Sequence, residues 1–160
     1  MAKRLIPVLV LLLLAAGVQT LIPLISGDLT IANPYLAVLV PLAMRSGKMG
    51  GVLWGAVLGT VSDAYFSPFV GFHGLSFCIL GYVLGWMGGK LLIGGILPMA
   101  IFAWAAYVLD AAAVAGLYLL LGLPLASPFW VFVLLGSLIT AALTALFEPV
   151  ARRLYRKDQA

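Results

Sequence analysis

The chain has 160 residues, of which 64% are hydrophobic, and carries a formal net charge of +4. Only 9% are charged, against about 25% in an ordinary soluble domain. No water-soluble core of this size could bury so much apolar surface. The basic excess therefore reads as loop charge that orients a membrane protein, and not as a nucleic-acid footprint.

A bilayer-spanning helix takes roughly 20 apolar residues. The expectation is an all-α polytopic protein, a single integral membrane domain over 1–160 with six transmembrane helices. The first span covers about 5–26, behind Lys3 and Arg4; its apolar run is too long for a cleaved signal peptide. The second, about 29–44, is short, with Asn33-Pro34 near its start and Pro41 near its end. The third covers about 49–65. The loop "FSPFVGFHG" leads to the fourth, about 75–89. The fifth covers about 98–121, with "LLIGGIL" before it as an interfacial lead-in. The sixth covers about 129–147, and a basic tail fills 150–160.

Charge supports this division. Six spans place all 9 Lys and Arg residues on one side: Lys3, Arg4, Arg45, Lys48, Lys90, Arg152, Arg153, Arg156 and Lys157. The positive-inside rule then puts both termini in the cytoplasm. Trp86 and Trp130 fall near span ends, where an aromatic belt lies. The tail residues Arg152, Arg153, Arg156 and Lys157 can hold anionic lipid headgroups.

In "GGVLWGAVLGTVSD", glycines recur every fourth residue. Gly47, Gly51, Gly55, Gly59 and Asp63 should share one helix face, and the fourth span repeats the spacing at Gly81, Gly85 and Gly89. Without side chains, two backbones can close up, and helix association in lipid depends on such contacts. The stripe serves either packing of spans three and four or docking of another protein's helix. Asp63 lies near the outer boundary at a helix C-terminus, where it meets the negative end of the dipole. The N-terminus of span four, around His73 and Gly74, offers it free N–H groups. It is either a latch between loop and helix or a ligand or proton site.

Asp110 falls at the middle of span five, where a carboxylate costs about 2.5–3.5 kcal/mol on insertion scales. No Lys or Arg inside a span can pair with it, so it is either protonated or bonded to a hydroxyl such as that of Tyr107 or Tyr82. It is a satisfied carboxyl within the bundle, or else a proton relay, as in a proton-coupled transporter, or a hook for a partner helix. His73 is the single histidine; it caps a helix or lines the outer surface, and no metal site is expected around it. Glu148, one turn before Arg152, suits an exposed i,i+4 pair. Cys78 is a lone thiol and forms no internal disulfide. No nucleotide-binding, metalloprotease or serine-triad motif is present, so neither enzyme activity nor a cofactor is expected.

From Pro34 through Gly51, Gly55, Gly59 and Asp63 to Gly71 before "FHGL" and "GYVLG", the chain resembles the rod shape-determining protein MreD of bacteria. The resemblance implies a non-enzymatic inner-membrane component of the elongation machinery that scaffolds peptidoglycan synthesis and maintains cell shape. It implies an MreC-type single-span partner and, through it, MreB and RodA with its transpeptidase. It also implies a six-helix fold similar to the substrate-binding subunits of energy-coupling-factor transporters. Such a vitamin-binding subunit is the alternative reading. It would need a polar outward pocket, for which the chain offers Asn33, Asp63, Tyr65, His73 and Ser76.

Overall fold

Asn33 and Pro34 start the central helix. Asn33 accepts the Leu36 N–H on its side-chain oxygen at 3.2 Å and the Ala37 N–H on its carbonyl at 3.2 Å. Pro34 opens the first turn, where its missing N–H is no loss. The computed structural model describes residues 10–20, 32–66, 71–90, 95–124 and 128–156, the side chains of 65–66 and 153–156 excepted. These residues form α1 (Val10–Thr20), α2 (Pro34–Phe66), α3 (Phe72–Lys90), α4 (Ile96–Leu120) and α5 (Phe129–Arg156). The last 4 are long and apolar enough to cross a membrane, and α1, as far as it is described, is shorter. The remainder of the expected first span, most of the "LLIGGIL" lead-in and the end of the tail lie outside the described residues.

From Pro34 on, sequence span 29–44 falls within α2, as does span 49–65. The helix breaks between them at Gly47, where φ is 73° and ψ is −178°. Asn33 Nδ2 donates to Ser62 Oγ at 3.0 Å across a separation of 29 residues. In one straight helix they would stand about 44 Å apart, at 1.5 Å per residue. The two limbs therefore lie side by side and the chain reverses at Gly47. This corrects the reading of Gly47 as part of the four-residue stripe: its positive φ, open to a residue without Cβ, makes the turn.

The first limb is the centre of the molecule. Every residue from Ala32 to Met44 is buried. Such a helix is apolar all round because protein surrounds it on every side. Against it, α1 sets Leu11 and Ala15. α4 turns Met99, Ala103, Ala106 and Asp110 inward, at helical spacing. The inner face of α5 buries the small polar residues Ser137, Thr140 and Thr144 beside Val133 and Phe147. Thr140 Oγ1 accepts the Asn33 backbone N–H at 3.2 Å. Outward-facing positions carry Leu53, Leu75, Ile79, Leu97, Leu109 and Leu138, all exposed. These outward positions are apolar because the surrounding solvent is lipid, and helix contacts inside rely on close packing.

Helix α5 runs on through Pro149 to Arg156, well past the expected end at 147, so the basic tail begins as helix. Lys90 Nζ lies 4.2 Å from the centroid of the Trp86 ring, a cation–π contact at the end of α3.

Candidate functional site

The second limb of α2 and α3 meet along glycine. A Cβ built on Gly51 would strike the carbonyl oxygen of Gly81, and one on Gly81 that of Gly51. One on Gly55 would strike the carbonyl of Phe77, and one on Gly85 that of Gly47. One on Gly59 would stand 2.6 Å from the Gly74 Cα. Each glycine thus receives backbone from the facing helix, and no foreign helix has room at these positions. Along α3 the seam ends at Gly88, packed on the Met44 carbonyl, and not at Gly89, which meets nothing within 4 Å. Three-residue and four-residue steps both keep to one helix face, which is why a strict four-residue count selected Gly89.

At the end of the seam opposite the turn, Asp63 is fully buried. Its Oδ2 accepts the N–H groups of Gly71 at 2.7 Å and Gly74 at 3.0 Å, and its Oδ1 accepts that of His73 at 2.8 Å. These are the free donors of the α3 N-terminus, where the helix dipole favours an anion. Gly71 supplies the entry with a φ of 114°, a conformation that side chains oppose. The negative end of the α2 limb and its carboxylate are thereby offset by the positive end of α3.

The His73 ring continues the chain of contacts. Its Nδ1 lies 2.9 Å from Asp110 Oδ2, linking α3 to α4. The bond gives Asp110 a histidine partner that the sequence did not offer beside the Tyr107 and Tyr82 hydroxyls, of which Tyr82 is 47% exposed. It also corrects one expectation. His73 neither lines a free surface nor caps with its ring. Asp63, His73 and Asp110 form one polar cluster that joins α2, α3 and α4. A separation of 37 residues hid the His73–Asp110 bond from any local pattern.

A second polar contact lies at the turn end. Arg45 donates to Glu148 Oε1 at 2.6 Å and to the Pro41 carbonyl at 2.9 Å. Glu148 is buried at 2% exposure, which corrects the reading of it as an exposed partner of Arg152. The Gly47 turn brings Arg45 to α5, and a desolvated carboxylate takes the cation that the fold presents. We expect Arg45→Ala and Glu148→Gln each to lower stability, and a double-mutant cycle to give a coupling of about 1–3 kcal/mol. Purely additive effects on the thermal midpoint in detergent would show that the two side chains do not interact.

Among the described residues, no group of three His, Cys, Asp or Glu side chains could hold a metal ion. The outer polar residues that a vitamin site would need are largely engaged inside the protein. Asn33, Asp63 and His73 hold helix ends together, and Ser76 is buried. Tyr65 lies outside the described side chains.

Apolar outer faces, a glycine seam and polar groups directed inward define an all-helical membrane protein. Residues 2–158 match the family model of the rod shape-determining protein MreD, and the chain belongs to that family. It is a shape-determining structural membrane protein. No curated protein and no solved structure matches the chain.

Proposed function

We propose that the chain is a non-enzymatic inner-membrane component of the bacterial rod complex, scaffolding peptidoglycan synthesis through an MreC-type single-span partner. Family membership over 2–158 carries this reading. MreB, RodA and its transpeptidase are reached indirectly, through that partner. The internal use of Gly51, Gly55, Gly59, Gly81 and Gly85 leaves the outer faces of the bundle for partner and lipid. Replacing the cell's own gene tests the assignment. Depletion of the chain should round the cells, and a tagged copy should restore rods and carry a single-span protein through purification. Cells that stay rod-shaped without it would refute the role.

The membrane arrangement belongs to the same proposal. Each limb of α2 crosses once, which gives six crossings with both termini cytoplasmic. The first limb is short for a hydrocarbon layer of about 30 Å, but a helix enclosed by protein need not match the lipid. Arg45, Lys48, Lys90 and Arg152 then lie at the cytoplasmic end, and Arg152, Arg153, Arg156 and Lys157 meet anionic headgroups. In a Cys78→Ser background, an impermeant thiol reagent applied to intact cells should label Leu121→Cys and spare Ser46→Cys and Ala160→Cys. Labelling of either of the last two from outside would exclude this topology.

A further inference from the structure

We propose that His73 and Asp110 form a proton-binding site that holds one shared proton at neutral pH. Asp110 is 3% exposed within an apolar helix. One of its oxygens, Oδ2, meets the His73 ring at 2.9 Å. The other, Oδ1, is buried with no hydrogen-bond partner among the described residues. A bare carboxylate oxygen in such surroundings is the costliest way to keep an anion, and buried ionisable groups neutralise or pair instead.

The surrounding charges favour the same state. From α2, Asp63 directs its negative charge at His73, and from α4, Tyr107 adjoins Asp110. Tyr118 of α4 packs edge-on against Phe72, and Phe77 of α3 packs against the His73 ring. Among the described residues, no lysine or arginine forms a salt bridge with Asp110. Without a proton, the pair would bury a net negative charge near Asp63, whose own carboxylate already takes the N–H groups at the start of α3. With two protons it would bury a net positive charge. With one, the pair is neutral overall, whether the proton resides on the imidazole or on the carboxyl. The His73 side chain is 13% exposed and that of Asp110 5%, so the proton enters through the imidazole. The ligand is therefore a proton taken from the end of the bundle opposite the Gly47 turn, and its presence sets the strength of a bond between α3 and α4.

The test counts protons. The full-length protein in detergent is unfolded at about pH 8 in weak buffer with an indicator dye. There, free histidine and aspartate hold almost none. The wild type should release about one proton more than Asp110→Asn, because proton binding that differs between folded and unfolded states appears in that count. Equal release from the two proteins would overturn the proposal.

Should Asp110→Asn fail to fold, the wild type answers alone, because His73 is the single histidine. Its ¹⁵N-labelled ring should be either doubly protonated, or bare at Nδ1 and hydrogen-bonded there. A neutral ring protonated only on Nδ1, or one bare at Nδ1 without a hydrogen bond, would overturn the proposal.

Discussion

Gly55→Leu is expected to abolish the folded protein. A Cβ at this position already strikes the Phe77 carbonyl and comes within 2.9 Å of the Cys78 nitrogen. Both atoms belong to the backbone of α3, which cannot turn aside as a side chain could. Ordinary overpacking costs about 1–3 kcal/mol, and leucine against a fixed backbone should exceed that range. Gly55→Ala should follow in the same direction and lower the thermal midpoint measurably. Gly89→Ala is the control. It meets nothing within 4 Å, and alanine is the better helix former by up to about 1 kcal/mol. The measurement is the yield of monodisperse protein from membranes, with rod shape as the cellular readout. A Gly55→Leu variant that accumulates normally and keeps cells rod-shaped would show that α2 and α3 do not meet here.

The seam was legible because its cause is local. Four-residue spacing of glycine in an apolar run has few other physical uses, and the sequence shows the spacing directly. The start of the central helix was legible for the same reason, since Asn33 and Pro34 stand side by side. Gly47 misled because it kept the spacing while making the turn. Only its backbone angles, which no residue pattern reports, separate the two roles. The polar contacts between distant elements were hidden by distance along the chain. Arg45 and Glu148 are 103 residues apart, and Asn33 and Thr140 are 107 apart. For Glu148 a local rule was available and pointed to Arg152. It failed because the rule concerns exposed helix faces, whereas Glu148 faces the core, where burial favours the cation that can be desolvated beside it.

Asp63 and Asp110 should respond differently to the same substitution. Asp63 gathers N–H donors from Gly71, His73 and Gly74 on two oxygens. Asparagine offers one acceptor oxygen, and its amide would turn further N–H groups toward donors. It also removes the charge, and charge-assisted hydrogen bonds are roughly twice as strong as neutral ones. At about 1.5–3 kcal/mol for a bond to a charged group, Asp63→Asn should cost several kcal/mol and release the start of α3 from the seam. At Asp110, Oδ2 meets the His73 ring, and Oδ1 has no hydrogen-bond partner among the described residues. Asparagine keeps an oxygen there for an imidazole N–H, so Asp110→Asn should be mild at neutral pH. Asp110→Leu should cost more, because it leaves the ring without its partner. The order is read from thermal midpoints in detergent and from cell rounding at matched expression. If Asp110→Asn abolished function while Asp63→Asn was silent, the latch on α3 would not be what holds this end of the protein. The essential element would then be the charge or proton at Asp110.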